Sequence, residues 1–153
     1  MEIRNKFGPL TTIVILFTVC GTFSSFAQSN DTLRIKKVID KYILGWRDGN
    51  KELLKEAFDQ DAGVVLWIDN KEDPERLKSM TLRDLTQRVR VQKEYGLGYT
   101  ITSLQIIDSK LATALVTIPL GDSHYTDCLQ LQKINGKWKI ILKSYVYFPK
   151  SKT

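Results

Sequence analysis

Asp127 has the clearest potential for chemistry in this sequence, because it lies in an alternating, strand-like stretch over residues 125–131. Successive side chains of a strand point to opposite faces, so Asp127 shares its face with Tyr125, Leu129 and Leu131. A carboxylate on such an apolar face loses hydration, and it can act as a general base or, when protonated, as a hydrogen-bond donor. The alternative is a structural carboxylate, hydrogen-bonded to the backbone, to Ser144 or to a helix end.

The dipeptide Asn135-Gly136 predicts which residues lie opposite Asp127. Asn and Gly accept the positive φ angles of a two-residue type I′ turn, and alternating runs flank them on both sides. In this register Ile134 pairs with Lys137, and Asp127 pairs with Ser144. The face expected to close on the core then carries Tyr125, Asp127, Leu129, Leu131, Trp138, Ile140, Leu142, Ser144 and Val146. The opposite face includes Cys128, Gln130, Ile141, Lys143 and Tyr145.

Several chemistries lack the residues that they require. Beyond the N-terminal segment the chain has one histidine, His124, and one cysteine, Cys128, whereas a structural zinc site needs about four nitrogen or sulfur ligands. The sequence has no P-loop, no G-x-G-x-x-G and no G-x-S-x-G motif. We therefore expect no metal and no cofactor. The formal net charge is +6, but the basic residues are scattered, so nucleic acid is not an expected partner.

The elements that must position Asp127 are three helices and a series of strands. The first helix is indicated by apolar residues at helical spacing: Ile35, Val38, Ile39, Tyr42, Ile43 and Trp46. Gly45 lies within it, and we expect another element to approach closely there. A second helix is predicted over residues 51–58, a strand over 64–69 and a third helix from Thr81, before four strand-like runs. This order predicts an α+β fold with an antiparallel sheet that helices cover on one face.

Residues 1–27 are predicted to be a secretory signal peptide. A basic start precedes an apolar run of about 14 residues, which is shorter than the ~20 of a spanning helix. Small residues stand at positions −3 and −1 of a cut after Ala27. We therefore expect a secreted or periplasmic protein with one domain over residues 28–153 and no stable membrane anchor after cleavage.

Parts of the chain resemble a known superfamily. They are Tyr42 to Gly49, the segment Phe58-Asp-Gln-Asp-Ala62, the repeat Tyr125-x-Asp-x-Leu-x-Leu, and Asn135-Gly-Lys-Trp-Lys-Ile140 followed by Lys143. Together they resemble the NTF2-like superfamily, and more narrowly its SnoaL-like and lumazine-binding branch of small secreted bacterial proteins. The resemblance implies an open-mouthed cone, in which a curved antiparallel β-sheet wraps around three N-terminal helices. The superfamily includes isomerases, cyclases, dehydratases and binding proteins, so function must come from the site.

Three functions fit these residues. In the first, the cone binds a small, largely apolar ligand without catalysis, in a pocket of Tyr42, Trp46, Trp67, Tyr125, Asp127 and Ser144; the aromatic residues could instead fill the core. In the second, the protein is a cofactor-free acid–base isomerase, dehydratase or cyclase, with Asp127 and, by analogy with the superfamily, the phenol of Tyr42 as catalytic residues. In the third, the protein is an interaction module and homodimer that uses the outer sheet face at Cys128, Gln130, Ile141, Lys143 and Tyr145.

Overall fold

The computed structural model of the protein describes residues 30–69, 73–92 and 98–150. The predicted signal peptide, with its cleavage site, lies outside the described residues, so the secreted address stays a prediction. In the part of the chain that is described, no helix is long and apolar enough to span a membrane.

The three predicted helices are present. Helix α1 covers residues 30–47, α2 covers Lys51–Ala57 and α3 covers Leu82–Arg88. The apolar face predicted for α1 is buried at Ile35, Ile39, Tyr42 and Ile43. Burial of this stripe against the sheet stabilises the helix far more than its intrinsic propensity does.

The turn between α1 and α2 brings these two helices close together. The side chain of Asn50 caps α2 by accepting hydrogen bonds from the backbone N–H groups of Glu52 (3.1 Å) and Leu53 (3.2 Å). Gly45 lies against Leu54, where a Cβ atom would approach side-chain and backbone atoms to 3.0 Å. The predicted close approach at Gly45 is therefore confirmed, and α2 is the element that approaches.

Six strands form one sheet in the described chain. They are β1 (Val64–Asp69), β2 (Asp73–Thr81), β3 (Thr100–Ile107), β4 (Leu111–Leu120), β5 (Ser123–Ile134) and β6 (Lys137–Phe148). Their order in the sheet is β2-β1-β6-β5-β4-β3. The predicted α+β fold is confirmed, but the sheet is mixed rather than wholly antiparallel, because β1 pairs with β6 in parallel. No hairpin joins these two strands, so the path of the whole chain sets their relative direction.

The core lies between the helices and one face of the sheet. Alternate residues of the central strands are buried there, namely Ala112, Ala114, Val116 and Ile118 of β4, Leu129 and Leu131 of β5, and Trp138 and Ile140 of β6. Trp138 was predicted as a core residue, and it is 3% exposed. The predicted inward face of β5 is therefore confirmed.

The β5–β6 hairpin follows the predicted register only for the residue pairs nearest its turn. Ile134 pairs with Lys137 as expected, and the register holds as far as the pair of Leu131 with Ile140. The next pair is Gln130 with Leu142, so Ile141 is an extra residue in β6 and forms a β-bulge. Every later pair is shifted by one residue from the prediction.

This shift reverses the faces of β6 beyond the bulge, because side chains alternate with a period of two. Asp127 pairs with Tyr145, not with Ser144, and Ser144 pairs with Cys128 on the outer face. Lys143 and Tyr145 therefore lie on the inner face, where the sequence placed Ser144. The predictions of Ser144 in the pocket and of Lys143 and Tyr145 on the dimer face were wrong for this one reason.

Candidate functional site

A cavity of about 110 Å³ lies between the inner face of the sheet and helices α1 and α3. Every strand except β3 contributes to its wall. The lining residues are Tyr42, Trp46, Val65, Trp67, Met80, Leu85, Ile118, Tyr125, Asp127, Lys143 and Tyr145. Five of the six residues predicted for a pocket are among them, namely Tyr42, Trp46, Trp67, Tyr125 and Asp127. Their contact with a ligand stays a prediction.

Asp127 is a fully buried residue of this wall, with an exposed fraction of 0%. Both of its carboxylate oxygens are hydrogen-bonded. The hydroxyl of Tyr42 on α1 donates to Oδ2 at 2.6 Å, and the ammonium of Lys143 on β6 donates to Oδ1 at 2.8 Å. The partners are therefore two side chains of the cavity wall, and neither is the backbone, a helix end or Ser144.

Lys143 is the cation of this buried pair, and its side chain is 10% exposed. Burial lowers the pKa of the Lys143 ammonium below the ordinary value of a lysine. The attraction and hydrogen bond of Asp127 act in the opposite direction and offset only part of that effect. Lys143 consequently loses its proton more readily than a surface lysine does.

Aromatic rings surround the Lys143 ammonium and form the half-buried part of the wall. The Nζ atom lies 4.1 Å from the ring centroid of Tyr145 and 5.7 Å from that of Tyr42. Trp67 stacks on Tyr145 with a centroid separation of 6.3 Å, and Tyr125 meets Tyr145 edge-on at 5.8 Å. Such faces attract both a cation and a flat ligand.

The arrangement can perform three kinds of chemistry. The ammonium can donate a hydrogen bond to a ligand oxygen, because it has three N–H groups and Asp127 accepts from one. The Lys143–Asp127 pair can take up or release a proton in a water-poor site. In its neutral form the amine can act as a nucleophile. Within residues 30–69, 73–92 and 98–150, no group of three or more His, Cys, Asp or Glu side chains could hold a metal ion.

Sequence reasoning placed Lys143 and Tyr145 on the opposite face, and it also did not assign Val65, Met80, Leu85 and Ile118 to the pocket. A signal for the reversed face exists in the sequence, since the alternation of Lys137 to Ile140 is followed by two more apolar residues, Ile141 and Leu142. An alternating pattern that breaks and then resumes out of phase is what a bulge produces.

The outer face of the sheet carries part of the predicted dimer surface. Cys128 and Gln130 lie there as expected, but Leu142, Ser144 and Val146 occupy the positions assigned to Ile141, Lys143 and Tyr145, respectively. Exposed apolar side chains on this face include Leu115 (40% exposed) and Val146 (53% exposed). Ile141 is the half-buried residue of the bulge.

Comparison with known proteins places the chain in a family. Residues 30–146 match the family model described as "Putative lumazine-binding". A protein named Aldolase FrzH from Cladobotryum sp is 26% identical over 114 residues, which cover 71% of this chain and 85% of that protein.

Solved structures agree on the fold. An NTF2-like protein of unknown function from Shewanella baltica OS155 superposes with a TM-score of 0.67 at 20% identity, covering 80% of this chain and 97% of that one. An NTF2-like protein of unknown function from Methylobacillus flagellatus KT gives 0.64 at 20% identity, covering 78% and 94%. At these identities the likeness shows the fold alone. The protein belongs to the family described as "Putative lumazine-binding" and has an NTF2-like fold, as the sequence motifs predicted.

Proposed function

We propose that the protein binds a small, largely apolar ligand in the cavity and that binding requires no catalysis. The observation that carries the proposal is a cavity of about 110 Å³ with aromatic walls and one buried ion pair, Lys143 with Asp127. Ligand sites are typically apolar hollows with a few polar groups that fix orientation. The family match supports a small ligand as the partner.

The size of the cavity limits the ligand. A dry apolar cavity of about 150 Å³ in another protein holds benzene, so about 110 Å³ admits at most a compound built on one ring. The polar group of that compound should be an acceptor such as a carbonyl or hydroxyl oxygen, because Lys143 supplies donors and Asp127 has both oxygens engaged.

Fluorescence titration tests this proposal, because Trp46 and Trp67 both line the cavity. A panel of one-ring alcohols, aldehydes and ketones should quench or shift the tryptophan emission with saturation. Ile118→Phe, which fills the cavity from β4, should abolish binding. Leu115→Phe, on the outer face of the same strand, is the matched control and should bind as the wild type does. Failure of the whole panel to bind, or equal binding by both variants, would count against the proposal.

The second candidate function is acid–base chemistry on a carbonyl substrate without a cofactor. The hydrogen-bonded series Tyr42–Asp127–Lys143 favours it, because it places a proton acceptor and two donors in one buried cluster. The relative named as an aldolase adds support at 26% identity. Exchange of the α-protons of acetophenone in D₂O, followed by NMR, is the test. Exchange should depend on Asp127 and vanish in Asp127→Asn; a rate equal to that in buffer would remove this candidate.

We also propose that the protein is exported and forms a homodimer through its outer sheet face. The signal-like residues 1–27 support export, and intact-mass measurement of the exported protein should give a chain that begins at Gln28. The exposed side chains of Leu115 and Val146, with the half-buried Leu142 on the same face, support the dimer, because apolar surface on a sheet favours pairing of identical faces. A monomer at millimolar concentration in the ultracentrifuge would contradict it.

A further inference from the structure

We propose that Lys143 is a nucleophile that forms a reversible imine with a small aldehyde or ketone held in the cavity. The inference rests on the proposed ligand-binding function, because the carbonyl compound has to enter the cavity first. It goes further by naming the chemical class of the ligand and the protein atom that bonds to it.

The position of Lys143 distinguishes it from two other lysines of the sheet, Lys133 and Lys139. Lys133 donates to both oxygens of Asp31, at 2.8 and 2.9 Å. Lys139 donates to the backbone oxygen of Glu56 at 2.6 Å. Neither Lys133 nor Lys139 lines the cavity, whereas Lys143 is buried and lines it. Of these three amines, Lys143 is the one that a molecule in the cavity can reach.

The amine also has a route to its neutral, reactive form. A lysine attacks a carbonyl carbon only after it has lost its proton. Burial favours the neutral amine by lowering the pKa of Lys143, and Oδ1 of Asp127 lies 2.8 Å away to accept the proton. The Tyr42 hydroxyl holds the other oxygen of Asp127, so the carboxyl group keeps its orientation when its charge changes.

The rings beside Lys143 favour a flat carbonyl compound and protect its imine. A planar ligand that stacks on Tyr145 would bring its carbonyl carbon near Nζ, which lies 4.1 Å from that ring centroid. The side chains of Val65, Leu85 and Ile118 make part of the wall apolar, so an imine formed there would have fewer water molecules beside it than one on the protein surface.

The step balances without an outside reagent. The Lys143 ammonium first gives a proton to Asp127. The nitrogen lone pair then forms a bond to the carbonyl carbon, and a proton moves from nitrogen to the former carbonyl oxygen to give a carbinolamine. Asp127 returns its proton to that hydroxyl group as the C–O bond breaks, so water leaves and a protonated imine remains. No electron is gained or lost, and Asp127 ends as the carboxylate.

A purely structural ion pair is the alternative, and borohydride trapping separates the two. The protein is incubated with benzaldehyde, and sodium borohydride is added to reduce any imine to a stable secondary amine. Intact mass and peptide mapping then locate the added group, which has the mass of benzaldehyde less one oxygen atom. Benzyl alcohol, which has the same ring and no carbonyl group, reports binding by tryptophan fluorescence and should compete with labelling.

Lys139 supplies the matched control on the same strand. Burial also lowers its pKa, yet it lies outside the cavity, so it reports amine reactivity without a binding site. We expect the Lys143 peptide to be labelled about tenfold more than the Lys139 peptide, because the cavity raises the effective concentration of the aldehyde at Lys143. Lys143→Arg, which keeps the positive charge, should lose this labelling, whereas Lys139→Arg should keep it.

The outcomes are distinct for the two proposals. Preferential, benzyl alcohol-sensitive labelling of Lys143 supports the imine. Binding of benzyl alcohol and of benzaldehyde with no labelling of Lys143 above Lys139 overturns the imine and leaves ligand binding intact. Absence of both binding and labelling overturns both proposals. Mapping on the wild-type protein decides the question even if Lys143→Arg fails to fold.

Discussion

Replacing Lys143 with methionine should destabilise the fold strongly, because it leaves a buried charge without its partner. Asp127 is fully buried, and in this variant its carboxylate would keep the single donor from Tyr42. Removing one partner of a buried ion pair typically costs about 3–5 kcal/mol. A domain of this size is stable by only about 5–15 kcal/mol, so the variant should lose a large share of its free energy of unfolding.

The double variant Asp127→Asn/Lys143→Met shows whether the cost comes from the uncompensated charge. If each single substitution costs about 3–5 kcal/mol, independent effects would sum to about 6–10 kcal/mol. The double variant removes both charges and leaves an amide that can still accept from Tyr42. We therefore expect it to lose less than about 4 kcal/mol, and to be no less stable than Lys143→Met.

Urea unfolding followed by tryptophan fluorescence measures these differences. With an m-value of about 2 kcal/mol/M, the single variants should lower the midpoint by about 1.5–2.5 M. Lys139→Met on the same strand is the control. Its ammonium reaches the carbonyl of Glu56 near the end of α2, a contact worth about 0.3–1 kcal/mol. Equal shifts for Lys143→Met and Lys139→Met, or a double variant that matches the sum, would refute this description of the pair.

Three further outcomes follow from other parts of the structure. Burial alone would raise the pKa of Asp31, but hydrogen bonds from Lys133 and from a buried indole lower it overall. Asp31 therefore stabilises the fold above the ordinary pKa of aspartate, and this stabilisation is lost as the pH falls through the lowered pKa of the folded state. In Asp31→Asn, the urea midpoint should consequently fall less steeply as the pH is lowered into the acid range. Gly45→Ala should destabilise by about 1–3 kcal/mol in thermal or urea unfolding, because the added Cβ meets Leu54 at 3.0 Å and this strain outweighs the better helix propensity of alanine. Val146→Lys should shift the proposed dimer towards monomer in sedimentation velocity at unchanged stability, because Val146 is exposed on the outer face.

The fold was predictable from local patterns because its elements follow local rules. The helical spacing from Ile35 to Trp46 gave α1, and the positive-φ turn at Asn135-Gly136 gave the β5–β6 hairpin. The inward position of Asp127 followed from the alternation of β5 alone, and it is confirmed. The parallel pairing of β1 with β6 could not be predicted in this way, because it joins strands that are far apart in the chain.

The site was predicted only in part, and the reason is one residue. An alternating pattern predicts the face of each side chain only as long as the strand contains no bulge, and Ile141 forms a bulge in β6. The residues on β5 and the helices were therefore placed correctly, while those on β6 beyond the bulge were placed on the wrong face. The bulge exchanged the hydroxyl of Ser144 for the ammonium of Lys143, which changes the chemistry of the site from a lone carboxylate to a buried ion pair.

That ion pair and the cavity beside it each lower the free energy of unfolding relative to a well-packed apolar core, and the two lie next to each other. The pocket of about 110 Å³ leaves apolar side chains of its wall without the packing partners that a filled core would give them, which costs dispersion energy. A buried pair such as Lys143 with Asp127 can often be replaced by apolar residues with a gain of about 1–4 kcal/mol. A core selected for stability alone would have neither, whereas a binding site needs both, an open volume and a polar group inside it. Their coincidence on the inner face of β6 is the physical argument for a ligand, and it holds whether the ligand only binds or also reacts.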